Sequence, residues 1–239
     1  MKSKIGIKSY KNENEHKVDE KLIDLFNNCP IPQNQILENL GLFLNAKNFS
    51  RILFMHHIYD KIKNIQGVIM DFGTRWGNNM ALFSIFRGMY EPFNRHRKII
   101  GFDTFSGFPS INKKDGKSDL MEEGNVATTK KYEVYLNQIM SVQEQQNPIS
   151  HIKKYEICKG DASEKLKDYI DNNPETIIAL GELAFITFSY RGRVFFPLEM
   201  NGWVKMAFAS EILRRVEISS GAKLSAIETT THPALIMPR

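Results

Sequence analysis

Residues 67–109 read GVIMDFGTRWGNNMALFSIFRGMYEPFNRHRKIIGFDTFSGFP, and the fold follows from how this stretch alternates. A short apolar run, Val68 to Met70, ends on Asp71, with glycines two and six residues further on at Gly73 and Gly77. An apolar-periodic segment then runs to about Tyr90, is stopped by Pro92, and gives way to a second apolar run ending on Asp103. Strand, glycine turn, helix and strand at this spacing predict a parallel βαβ unit. Towards the C-terminus, YEICKGD at 155–161 predicts a third strand, a helix follows around 163–171, and TIIAL at 176–180 predicts a fourth strand. Towards the N-terminus, residues 18–65 carry helical periodicity: Leu22, Ile23 and Phe26, a break at Pro30 and Pro32, then Ile36, Leu40, Leu42 and Leu44. A further helix is expected from Ser50, as N-cap, to Ile62. The expected fold class is α/β, a Rossmann-like, doubly wound, mostly parallel sheet behind an N-terminal helical segment, with an atypical C-terminal part.

At 239 residues the chain suits one domain with a well-buried core. Its net charge of +5 is spread over pairs such as Lys113-Lys114, Lys130-Lys131 and Lys153-Lys154. No basic stripe with interleaved aromatics is present, so no nucleic-acid partner is expected. A mildly basic surface suits an anionic substrate such as a sugar nucleotide, and solvated lysines account for it equally well. The opening MKSKIGIKSYKNENEHK has no apolar segment behind it and no apolar run reaches bilayer length, so a cytoplasmic protein with no membrane partner is expected. The cysteines, Cys29 and Cys158, cannot build a zinc site by themselves and are expected as buried thiols. Residues 110–150, with a turn at Asp115-Gly116, read as a loop and then a helix from about Lys131 to Gln145, either a lid or a surface excursion.

The chemistry concentrates at the strand ends. An acid closing a strand, followed by the turn Gly73-Thr74-Arg75-Trp76-Gly77 and a helix starting near Asn78, lets backbone approach a ligand beside the positive end of a helix. Asp103, 32 residues after Asp71, is placed to accept from the two ribose hydroxyls of an adenosine, with Thr104 beside it. Asp161 and Ala162 end the third strand, where a carboxylate can accept from an adenine amine while Ser163 caps the next helix. Each acid alone is more simply a turn or cap residue; three in order favour an adenosine site. The Asp71-Phe72-Gly73 string does not make a kinase, for no catalytic loop or upstream glycine loop with lysine accompanies it. A nicotinamide oxidoreductase would want a glycine where Arg75 stands.

These strings, together with SRILFMHHIYDKI at 50–62, NPISHIKKYEICKGDAS at 147–163 and NPETIIAL at 173–180, resemble the macrocin O-methyltransferase family, class I S-adenosylmethionine-dependent enzymes that methylate deoxysugar hydroxyls. The resemblance spans about residues 40–180. It implies S-adenosylmethionine held by the turn Asp71, Gly73, Thr74, Gly77 and Asn78, by Asp103 and Thr104, and by Asp161 and Ala162. It also implies a divalent metal, usually magnesium, that orients the acceptor hydroxyls. On this reading residues 1–65 are a helical prelude, 66–180 a cofactor-binding core and 181–239 a divergent segment of one methyltransferase-like domain.

The divergence bears on catalysis. Where the family continues with an A-Y-F-D-F-D motif, this chain has Gly181-Glu182-Leu183-Ala184-Phe185-Ile186, so both aspartates are lost. Leu198 stands in place of a further aspartate, leaving Glu199 and Asn201 as matches. One glutamate is a poor cage for magnesium, which argues against that metal. The catalytic residues stay unknown; Glu199, as base or metal ligand, and His232, as base, are the candidates. Five residues, Ser189 to Arg193, separate two late apolar runs, too few for a parallel crossover. Residues 1–180 hold 20 Lys and 18 Asn against 2 Lys and 1 Asn in 181–239, a shift that fits a frameshift, a recombination junction or a divergent segment. The sequence therefore supports an S-adenosylmethionine-dependent O-methyltransferase acting on a hydroxyl of a sugar-type small molecule, a sugar-containing natural product or a surface glycan, then a degenerate relative that binds the cofactor without transfer, and last an NAD-dependent oxidoreductase. A homo-oligomer is left open.

Overall fold

The computed structural model describes residues 11–108 and 123–173. The expected strand at 176–180, the divergent segment 181–239 and the turn at Asp115-Gly116 lie outside the described residues.

Helix α1, Glu13–Asn27, starts with a reciprocal cap in which Asn12 Oδ1 accepts from Glu15 N–H at 2.9 Å and Glu15 Oε2 accepts from Asn12 N–H at 2.8 Å. None of its side chains is buried. Two 3-10 turns, Gln33–Gln35 and Leu37–Phe43, carry the chain past Pro30 and Pro32 to α2, Ala46–Ile62. Its N-cap is Asn45, whose Oδ1 accepts from Asn48 N–H at 2.8 Å, so the expected start at Ser50 was a full turn late. The amide oxygen of Asn45 reaches the free N–H groups of the first turn, and Ser50 already sits inside the helix.

Among the described residues three parallel strands follow in the order β1-β2-β3: β1 Ile69–Phe72, β2 Ile99–Asp103 and β3 Tyr155–Lys159. Between β1 and β2 lies α3, Asn78–Tyr90; α4, Tyr132–Gln145, precedes β3, and α5, Ala162–Asn172, follows it. The Rossmann-like α/β class expected from the sequence is the one observed. Its core is built where α2 and α3 face the sheet: Met55, Ile58 and Tyr59 pack with Met80, Phe83, Phe86 and Ile99, joined by Leu136 and Met140 of α4. Each such buried side chain contributes about 1.5–3 kcal/mol relative to exposure. The register sets Asp71 beside Gly101 and Asp103 beside Lys159, so the acidic strand ends lie at one end of the sheet.

Two buried arginines fasten the helices to the sheet at its opposite end. Arg97 pairs with Glu91 at 3.0 Å and donates to the carbonyls of Ile62, Ile65 and Gly67, closing the passage from α2 into β1. Arg87 of α3 and Lys154, just before β3, both pair with Glu144 of α4. The cysteines depart from expectation: Cys29 and Cys158 are free thiols and only half-buried, because Cys29 lies in the loosely packed N-terminal arm and Cys158 on the outer strand β3. Burial pushes the Cys158 thiol up to about 11, aided by Glu156. No described helix is long and apolar enough to cross a membrane.

Candidate functional site

The site forms where β1 passes into α3. Gly73 and Gly77 take φ of +74° and +73°, the left-handed region that favours glycine, and Arg75 between them takes φ of +48°. The backbone thus keeps a glycine-like shape at Arg75, so that residue is weaker evidence against a dinucleotide turn than its identity suggested. Gly73 N–H donates to Phe102 O at 2.9 Å and Gly77 N–H to Thr74 O at 2.8 Å, closing the turn over the end of β2. A Cβ at Gly101 would lie 2.3 Å from Met80 Sδ and 2.7 Å from Thr74 Oγ1, so any larger residue there would have to displace the buried Met80 and Thr74 side chains beneath the turn. A Cβ at Gly73 would meet nothing within 4 Å among the described residues, which leaves space above the turn on their side.

Asp103 is held from both sides. Its Oδ2 accepts from Arg75 N–H at 2.7 Å and its Oδ1 from Phe105 N–H at 2.6 Å. Burial raises its pKa, opposed by these two backbone donors and by the Arg75 charge. Asp71 is fully buried: Oδ1 accepts from Asn79 Nδ2 at 3.2 Å, and Oδ2 has no hydrogen-bond partner among the described residues. Desolvation pushes this carboxyl up to about 7, against the pull of Asn79, Thr74 and Arg51. Thr74 is buried and donates to Asp71 O at 2.9 Å.

The other expected residues are placed as follows. Asn78 is exposed at the start of α3, whose N-cap Gly77 offers no side chain to its first turn. Thr104 Oγ1 donates to Gly107 O at 2.6 Å. Gly160 N–H donates to Asp103 O at 2.9 Å, which brings the Asp161 turn alongside. The cap of α5 is Asp161 itself, accepting from Ser163 N–H at 2.9 Å, and not Ser163 as expected; the carboxylate reaches the first-turn donors from one position earlier. Ala162 is the first residue of α5. Glu199 and His232 lie outside the described residues. Among the described residues, no group of three or more His, Cys, Asp or Glu could hold a metal ion.

Sequence reasoning missed the residues that frame the turn. Trp76 meets Tyr132 edge-on at 4.7 Å, and Tyr132 OH donates to Trp76 O at 3.1 Å, so the start of α4 stands against the turn. Arg51 of α2 donates to Asn79 Oδ1 at 2.8 Å, behind Asp71. The paired Asn78-Asn79 at a helix start was the visible signal for the second of these contacts; nothing local pointed to Arg51.

No family model matches the chain, and no curated protein matches it significantly. Solved structures do. A crystal structure of CalS11, a calicheamicin methyltransferase, is 33% identical, with 75% of this chain and 72% of that chain covered and a TM-score of 0.69. The apo structure of CalS11, a TDP-rhamnose 3'-O-methyltransferase of calicheamicin biosynthesis, aligns over 95% of this chain and 94% of that chain at 26% identity, with a TM-score of 0.62.

Proposed function

The chain belongs to the methyltransferase-fold family of which CalS11 is a member, and from that premise we propose that it is an S-adenosylmethionine-dependent O-methyltransferase acting on a hydroxyl of a sugar or sugar-containing molecule. The observation that carries this reading is the convergence of Asp71 and Asp103 on one glycine turn, with Asp103 clamped by Arg75 and Phe105. The sequence resemblance to the macrocin O-methyltransferase family and the TDP-sugar substrate of CalS11 support a deoxysugar or nucleotide-linked sugar as acceptor.

The residues present fit the cofactor. The orphaned Oδ2 of Asp71 wants a donor, the space over Gly73 admits a ligand, and the first turn of α3 carries no side-chain cap. When bound, S-adenosylmethionine supplies a methyl group activated by its sulfonium. The chain's own part is to hold it: Asp103 and Thr104 at the ribose, Asp161 and Ala162 at the adenine, and Asp71 with Gly73, Thr74, Gly77 and Asn78 at the amino-acid end. Fixing donor and acceptor in one orientation contributes a large part of the rate of such a site. We assign residues 1–239 to one methyltransferase-like domain, and propose that it works in the cytoplasm.

A degenerate relative that binds the cofactor without transfer is the second reading, favoured by Ala184, Ile186 and Leu198 where the family carries acids. Calorimetric titration with S-adenosylmethionine and with NAD, each with and without magnesium, separates the readings when paired with a labelled-methyl transfer assay on TDP-rhamnose. Donor binding with no transfer to any sugar supports the second; NAD binding alone sinks both. Asp103→Ala should abolish the donor signal while the chain stays folded, and unchanged affinity would remove its ribose role.

We further propose a homo-oligomer. Among the described residues no side chain before Met55 is buried, while Val18, Leu37 and Leu42 are 61%, 75% and 64% exposed. An amphipathic arm of this kind is marginal without a partner surface. Sedimentation equilibrium tests it, and a strictly monomeric chain at micromolar concentration would refute it.

A further inference from the structure

Behind the glycine turn runs a hydrogen-bonded chain that the cofactor reading does not use. Arg51 Nη2 of α2 donates to Asn79 Oδ1 at 2.8 Å, and Asn79 Nδ2 of α3 donates to Asp71 Oδ1 of β1 at 3.2 Å. Asn79 is buried and Asp71 fully so. The direction of this chain is fixed by chemistry. A guanidinium only donates and a carboxylate only accepts, so the Asn79 amide must present oxygen to Arg51 and nitrogen to Asp71. The result is a one-way relay that delivers donors to one oxygen of Asp71 and leaves Oδ2 for a donor that no described residue supplies.

We propose that Arg51 and Asn79 are positioning residues that turn the Asp71 carboxyl so that Oδ2 receives the ammonium of the donor's amino-acid end. The proposal rests on the reading that S-adenosylmethionine binds this turn. The relay favours the ionised form of a carboxyl that burial pushes up to about 7, and a neutral acid attracts an ammonium far less. The groups that act on Asp71 are few: Arg51 from α2, Asn79 from α3, Thr74 from the turn and Asp103 from β2, the last working against its ionisation. Arg51 is also the link between the N-terminal helical segment and the turn, which gives that segment a part in donor affinity.

The test uses the full chain, with Asn79→Leu, Arg51→Met and Asp71→Asn as variants and two probes, S-adenosylmethionine and 5'-methylthioadenosine, which lacks the amino-acid end. Loss of a hydrogen bond to a charged group should weaken S-adenosylmethionine binding roughly ten- to a hundredfold in Asn79→Leu. Arg51→Met should weaken it in the same direction by less. Binding of 5'-methylthioadenosine should stay within about twofold in both variants. Equal weakening of both probes would mean that the pair merely braces the turn, and would overturn the proposal. Independently of any ligand, the carboxyl carbon resonance of Asp71, assigned by its absence from Asp71→Asn, should titrate at higher pH in Asn79→Leu than in the unaltered chain. An unmoved titration overturns the relay even if the donor binds. Conversely, a shifted titration with no S-adenosylmethionine binding to the unaltered chain overturns the cofactor reading, and with it the ammonium role, while leaving the relay in place as electrostatics alone.

Discussion

Replacing Glu144 by Gln strips the charge from a carboxylate that serves two buried cations. Arg87 donates to both of its oxygens, at 3.0 and 2.9 Å, and Lys154 Nζ lies 2.7 Å from Oε1 while Lys154 N–H donates to Oε2 at 3.2 Å. Both cations are only 1% exposed. The surplus positive charge is already spread onto carbonyls, Lys154 Nζ reaching Ile149 O and Ile152 O at 3.1 Å and Arg87 Nη1 reaching Lys154 O at 2.9 Å. Breaking one partner of a buried pair costs about 3–5 kcal/mol, because an uncompensated charge stays behind. For a chain of this size that lowers Tm by roughly 6–20 °C. Glu144→Gln should show this loss in urea unfolding, and the loss should shrink by at least about 1 kcal/mol in a Lys154→Met background, where one of the two cations is gone. The triad sits at the end of the sheet where β3 begins, away from the acidic strand ends, so the folded variant should bind S-adenosylmethionine as the unaltered chain does. A cost below about 0.5 kcal/mol, or an equal cost in both backgrounds, would refute the view that this network holds α3 and α4 onto β3 through charge.

Other perturbations separate the turn's stability from its use. Gly77→Ala sets a Cβ 2.2 Å from Leu136 Cδ1 at a φ of +73°, and should cost about 1–3 kcal/mol in urea unfolding together with donor affinity. Gly73→Ala meets no atom of the described residues and should cost only about 1 kcal/mol, yet weaken the donor at least tenfold in calorimetry, since its methyl fills the space over the turn. Asp71 titrates at about 7 in the folded chain and lower when unfolded, so the folded state keeps a proton that the unfolded state has lost. Stability should therefore fall as pH rises from about 4 to about 7, an effect that Asp71→Asn flattens in denaturation midpoints taken across that range. Donor affinity should run the other way and rise through about pH 7, as Asp71 ionises.

How far the sequence could be read follows from how local each feature is. β1, the glycine turn and α3 come from consecutive residues in which a short apolar run gives way to a helical apolar period, and they stand where that change put them. The end of α2 at Ile62 was equally local; its start was not, because asparagine and serine are both good caps and only the fold decides which one meets free N–H groups. Arg87, Glu144 and Lys154 span 67 residues, and nothing in their neighbourhoods marks them as partners. Alone they read as surface charges, as most Arg, Glu and Lys are.

The three acids that suggested an adenosine site turn out to be unequal, and the inequality ranks their roles. Asp161 spends one oxygen on capping α5, so helix formation alone accounts for it. Asp103 takes a backbone donor on each oxygen, which fixes its direction and still leaves a lone pair on each for a hydroxyl. Asp71 alone keeps a buried oxygen with no partner among the described residues, a costly state that the fold tolerates only if something arrives to satisfy it. If the acids serve a bound donor, sensitivity to substitution should follow that order: least at Asp161, where a cap can be supplied by Asn, greater at Asp103, and at Asp71 expressed as a pH dependence as well as a loss of affinity. An Asp161→Asn variant that lost binding while Asp71→Asn kept it would reverse the ranking and move the centre of the site from the glycine turn to the end of β3.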